Sequence, residues 1–137
     1  MKSEKGQAAV EFALVLPILL MLILGIIDFG RILYTQNALT SLNQQAARYT
    51  SINYSAGDNT NLVIQYVTNN PGTLDTSAFK KADNSNGINV TPTSITSGSQ
   101  VKVTLTYKIY YITPFVNMIP GLTNPFYITS SSTFMAE

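Results

Sequence analysis

Hydrophobic positions fall into three patterns along this chain. From Phe12 to Ile27 they dominate, with no charged side chain between Glu11 and Asp28. From Leu39 to Tyr49 they recur at spacings of three and four, as Leu39, Leu42, Ala46 and Tyr49. Gln36, Asn37, Thr40, Asn43, Gln44 and Arg48 take the opposite side. From Val101 to Tyr111 they alternate, with Lys102, Thr104, Thr106, Lys108 and Tyr110 between them. A continuous apolar run predicts a membrane-grade helix, a period near 3.6 an amphipathic helix, and a period of two a half-buried strand.

Residues 31–50 contain no Gly or Pro, so the first two patterns join into one helix over 7–50, about 65 Å long at 1.5 Å per residue. That is about twice the hydrocarbon thickness of a bilayer. The first half belongs in lipid, and the second packs its stripe on a soluble head. Pro17 has no N–H for the Ala13 carbonyl and is expected to kink this helix. The uncharged stretch is slightly short of the roughly 17–25 residues a span requires. Ala8, Ala9, Val10 and Phe29 extend it.

Beyond the helix, Ser55 to Asn59 reads as a loop ending in a cap. Leu62, Val63, Tyr66 and Val67 then form a short helix that stops at Asn69-Asn70-Pro71-Gly72. Residues 71–87 are polar and read as irregular. Ile88–Thr91, Val101–Tyr111 and Phe126–Met135 read as antiparallel strands, with a turn at Thr96–Ser99. The fold class is α+β: a long N-terminal helix covering one face of a small antiparallel sheet, with one short extra helix.

Composition narrows the chemistry. Of 137 residues only 11% are charged and the net charge is +1, which excludes a basic nucleic-acid-binding face. Cys, His and Trp are absent, which removes the common zinc sites, thiol nucleophiles and imidazole bases. No cofactor and no metal is expected. Lys2 and Lys5 favour a cytoplasmic N-terminus, with the rest of the chain outside beyond about Arg31. Ile27-Asp28-Phe29-Gly30-Arg31 supplies no small-x-small site, so an ordinary cleaved secretory signal is not expected.

Glu11 is the residue that asks for a purpose. A charge at mid-bilayer costs about 2.5–3.5 kcal/mol on insertion scales and less near the edge. Left alone it would be a protonated or headgroup-seeking carboxylate. A cut after Gly6 would give Gln7 a free α-amino group, which Glu11 of a neighbouring subunit could neutralise in a medium of low dielectric. Asp28 and Arg31, three apart at the outer membrane edge, are expected to form a positional ion pair. The run from Thr113 to Leu122 is apolar for a loop. It either folds back to complete the core or offers Phe115, Val116, Met118, Ile119 and Leu122 to a partner subunit. Asp83-Asn84-Ser85-Asn86-Gly87 only partly matches a calcium loop and reads as a polar loop with an Asn86-Gly87 turn, and Asp58 reads as a cap.

Lys5-Gly6-Gln7-Ala8-Ala9-Val10-Glu11-Phe12 resembles the prepilin-peptidase site of the type IV filament superfamily. The continuation Ala13-Leu14-Val15-Leu16-Pro17, then Gly25-Ile26-Ile27-Asp28-Phe29-Gly30-Arg31, resembles the TadE-like family of tight-adherence (Flp) pilus proteins. Tyr34 to Leu39 and Ala46-Ala47-Arg48-Tyr49 fit the same family. The resemblance implies a pilin-like fold and a bacterial minor pilin or pseudopilin, with no enzymatic activity. Residues 1–6 would be a leader removed between Gly6 and Gln7. Residues 7–50 would be the long helix, in the membrane to about 30, and 51–137 an extracytoplasmic head. Partners would be the prepilin peptidase, other pilin or pseudopilin subunits, the pilus assembly machinery and membrane lipid, with no nucleic acid. Glu11 and Phe12 would set subunit register, and Ala9 and Ala13 would let helices approach closely. Major Flp pilins favour Tyr where this chain has Phe12 and lack a head of this size, which points to an accessory subunit.

Two other readings compete. One is a single-pass anchored protein whose head binds a ligand or surface and never assembles. The other is an enzyme, for which clustering of Asp58, Asp75 and Asp83 in one pocket would be the support.

Overall fold

The computed structural model of the chain describes residues 2–55, 57–114 and 116–137, with side chains from residue 6 onward. Helix α1 runs from Lys2 to Asn53, 52 residues, and continues through Pro17 without a break. At 1.5 Å per residue it is about 78 Å long. Helix α2 spans Thr60–Asn69, and single 3-10 turns occur at Thr76–Ala78 and Val116–Met118.

Three strands make one antiparallel sheet in the order β1 (Ile88–Thr91), β2 (Gln100–Ile109), β3 (Phe126–Met135). The register pairs Ile88 with Leu105, Val90 with Val103, Val101 with Phe134 and Ile109 with Phe126. Apolar residues from all three strands therefore share one face. That face and α2 close on the second half of α1, burying Leu39, Leu42, Ala46 and Ala47 with Val63, Val67, Val90, Val101, Val103 and Leu105. Each fully buried Leu or Val contributes about 1.5–3 kcal/mol relative to exposure. Val63 and Val67 are β-branched, yet α2 forms because both side chains enter this core.

The buried stripe of α1 is broader than the spacing of apolar residues predicts. Thr35, Asn43, Thr50 and Ser51 are buried beside the leucines and alanines. Asn43, read from the sequence as solvent-facing, is fully buried, and its Nδ2 donates to the Ser130 and Ser132 hydroxyls at 3.2 Å each. The inward face of β3 carries small serines at its middle, and the asparagine fills that gap. Thr50 donates to the Ala46 carbonyl (2.8 Å) and Ser51 to the Arg48 carbonyl (2.8 Å), so each hydroxyl is satisfied inside the helix. Tyr49, placed by its spacing in the buried stripe, is 38% exposed and stacks on Tyr66 of α2, ring centroids 4.7 Å apart.

The polar segment before β1 turns at a different place from the Asn86-Gly87 dipeptide. The Asn84 amide donates to the Lys81 carbonyl (3.0 Å), and Asn84 itself takes the left-handed conformation. Gly87 lies at a close approach: a Cβ there would collide with the carbonyl oxygen of Thr106. Its own carbonyl accepts from the Thr106 amide at 2.7 Å, extending the edge of the sheet. β2 ends at Ile109, short of Tyr111, because the next residues are drawn off to α1.

Candidate functional site

Among the described residues, every position of α1 from Gly6 to Ile23 is exposed. From Phe12 to Ile27 every side chain is exposed except half-buried Leu24. Its most apolar window has a mean hydropathy of 2.8 with none of it buried, so by length and composition α1 can cross a membrane. At its start, Gln7 Nε2 donates to Glu11 Oε1 at 3.2 Å, one turn apart on the exposed surface. Ala9, Phe12, Ala13 and Pro17 are exposed along the same stretch, and the space beside Gly6 is open.

About 25 Å further along the axis, counting from Glu11, the helix meets the head again at Asp28. This carboxylate is only 4% exposed. Its oxygens accept from the Ile112 amide (2.8 and 3.0 Å), the Thr113 amide (2.8 Å) and the Thr113 hydroxyl (2.7 Å). Arg31 lies 3.6 Å away, one turn on, and donates to the Tyr110 carbonyl at 3.3 Å. The ion pair is the weaker part of this arrangement. The stronger part is a carboxylate gripping consecutive backbone amides, a charge-assisted set of bonds that ties the β2–β3 loop to the helix.

That loop folds back on α1. Val116 is buried at 5% exposure, so in this chain its side chain turns inward rather than outward toward a partner. Met118, Ile119 and Leu122 stay exposed, and Phe115 lies outside the described residues. Gly25, Phe29 and Ile32 of the helix and Val116, Ile119 and Leu122 of the loop line one apolar groove. The loop is braced internally: Asn124 Oδ1 accepts from the Tyr111 amide (3.3 Å) and Asn117 Oδ1 from the Asn124 amide (3.0 Å).

The three aspartates of the head hold their own turns. Asp58 accepts from the Thr60 amide (2.8 Å), Asp75 from the Ser77 amide (2.8 Å) and Asp83 from the Ser85 amide (2.9 Å). Among the described residues no three acidic side chains come together in a group fit for a metal ion. Asn59 is the buried organiser of the loop before α2. Its side-chain oxygen accepts from the Ser55 amide, and its Nδ2 donates to the Ser55, Gly57 and Thr93 carbonyls. The structure thus separates two regions on α1: the Gly6–Ala13 end, alone, and the Asp28–Arg31 turn, gripped by the loop. Ile112 and Thr113 were not legible as functional residues, because they act mainly through backbone amides and only position brings these and the Thr113 hydroxyl to Asp28.

The model of the TadE-like protein family matches residues 6–48. This part of the chain, from the glycine of the expected cut through most of the buried stripe of α1, is similar to that family. The residues after 48 lie outside the match. Comparison with curated proteins and with solved structures finds no match.

Proposed function

We propose that this chain is a minor pilin or pseudopilin of a tight-adherence pilus, processed by a prepilin peptidase and assembled through its N-terminal helix. The observation that carries the reading is the family match over 6–48, which takes in the Gly6-Gln7 junction, Glu11 and the whole apolar run. The bare lower half of α1 supports it. A helix apolar all round requires lipid first and other helices afterwards.

In this mechanism the precursor inserts with residues 1–6 in the cytoplasm, α1 in the membrane to about residue 30 and the head, 51–137, outside. The peptidase cuts between Gly6 and Gln7. The new α-amino group of Gln7 lies one helical turn from Glu11 of its own chain and meets Glu11 of the next subunit. Opposite charges attract strongly where water is scarce, so the pair sets axial register. Ala9 and Ala13 give close helix approach beside Phe12, and Pro17 lets the helix bend as it leaves lipid for a bundle.

The test is the N-terminus and intact mass of membrane-extracted protein, co-expressed with and without its prepilin peptidase. Loss of residues 1–6 only with the peptidase is expected. Gly6→Leu should keep the leader. Glu11→Ala should be cut normally yet fail to enter pili, read by immunoblot of sheared filaments. Normal incorporation of both variants would sink the mechanism, and an uncut wild type would leave an anchored protein that never assembles.

A further inference from the structure

We propose that the loop between β2 and β3 is a lipid-inserting foot: residues 112–114 and 116–122 enter the outer leaflet beside α1 while Arg31, Tyr34, Lys108 and Tyr110 rest among the headgroups. This rests on α1 spanning a bilayer and goes beyond the pilin reading.

Depth is the first support. Asp28 spends its charge on the Ile112 and Thr113 amides and is buried, so it presents no charge to lipid. The apolar surface of α1 then continues from Phe12 to Gly30, about 28 Å, close to the roughly 30 Å hydrocarbon core. Counting only to Ile27 made the span short; the grip of the loop on Asp28 restores its length. A loop fastened at Asp28 and lining a groove with Gly25 and Phe29 lies beside the last turns of that span.

The loop's own chemistry is the second support. No charged residue occurs between Lys108 and Glu137. Met118 is 78% exposed, Ile112 and Ile119 are about half exposed, and Ile119 shares the groove with Gly25 and Phe29 of the helix. Hydrocarbon also requires backbone donors to be satisfied within the protein. That demand is met in part: the Ile112 and Thr113 amides go to Asp28, the Ile119 and Leu122 amides go to loop carbonyls, and Pro114 and Pro120 have no N–H.

A collar just above completes the arrangement. Tyr34 and Tyr110 are exposed, Lys108 Nζ lies 5.4 Å from the Tyr110 ring centre, and Arg31, Tyr34, Lys108 and Tyr110 line one groove. Tyrosines with long basic side chains are the residues that settle at the interface between lipid and water.

The chain has no cysteine, so single labels are unique. Full-length Met118→Cys and Ile119→Cys would be spin-labelled and reconstituted in phosphatidylethanolamine and phosphatidylglycerol vesicles, with Leu20→Cys as the lipid reference and Asn89→Cys as the water reference. Relaxation by oxygen and by a polar nickel chelate would be compared. Labels at 118 and 119 should show an oxygen-to-chelate ratio severalfold above that at 89 and approaching that at 20. Ratios at 118 and 119 equal to 89, with 20 in lipid, would overturn the foot and leave the span standing. Chelate access at 20 would overturn the span and the foot together. Shielding from both reagents that disappears on dilution with lipid would overturn the foot in favour of a contact with a second copy.

Discussion

Along α1, the turns from Phe12 to Ile27 expose apolar side chains in every direction, whereas those from Thr35 to Ser51 bury one stripe that mixes leucine and alanine with Asn43, Thr50 and Ser51. The same backbone serves two solvents. The lower half selects its environment by composition alone, since any apolar side chain facing lipid serves equally well. The upper half selects by shape, since each buried residue must fit the sheet and α2, and buried polar atoms are mostly paired there, Asn43 Oδ1 being the exception among the described residues. Asp28 stands where the two rules meet: it lies in the apolar half by sequence but in the head by its hydrogen bonds.

The comparison breaks most visibly in the core. Leu105 is fully buried opposite Ile88 and Ser130. Leu105→Ala should cost about 2–5 kcal/mol, whereas Leu20→Ala should leave the head unchanged. Thermal melts of the detergent-solubilised chain, followed by near-ultraviolet signals of the tyrosines, would separate the two. Equal effects would mean that the two halves of α1 are not independent.

A smaller and more local effect is expected at the junction. Asp28→Ala removes the acceptor for the Ile112 and Thr113 amides. Bonds to a charged acceptor contribute about 1.5–3 kcal/mol each, so exchange of these amides should accelerate by roughly ten- to a hundredfold. Hydrogen exchange read by mass spectrometry should localise the change to residues 110–125 and spare β2. Unchanged exchange there would remove Asp28 from its gripping role.

The smallest effect sharpens the contrast from the side of the head. Asp58 is held below the usual carboxylate range by the Thr60 hydroxyl and amide, Asp75 by the Ser77 amide and hydroxyl, and Asp83 by the Ser85 hydroxyl and amide. A folded value below the unfolded one contributes stability that is fully present above about pH 4 and is lost as pH falls through the folded values. The denaturation midpoint of the head should therefore be level from neutral pH to about 5 and decline below 4, by little because all three groups are in water. A midpoint that rises on acidification would contradict the sign.

Much of this fold is legible in the chain. The helix, the short α2 and the three strands follow from periods of 3.6 and 2, and the strand phases put Val101, Val103 and Leu105 on one face. Less legible are the residues whose role depends on what they meet. Asn43 reads as polar surface, yet serines at 130 and 132 in β3 admit it to the core. Val116 reads either as core or as partner surface, and only the path of the loop turns it inward. The Asn86-Gly87 dipeptide reads as a turn, yet the glycine is there for a close approach to Thr106.

By itself the sequence determined the two α-helices and the three strands, the apolar half of α1, the stretch from Gly6 to residue 48 that is similar to the TadE-like family, and the chemistry ruled out by the absence of Cys and His. These are properties of composition and of spacings within a few residues. Tertiary structure alone decided that Asp28 grips amides 84 and 85 residues away and that the exposed side of the loop lies beside the end of the apolar run. Such pairings depend on the direction in which β2 leaves the sheet and on the face α1 turns toward it, which a local period does not encode.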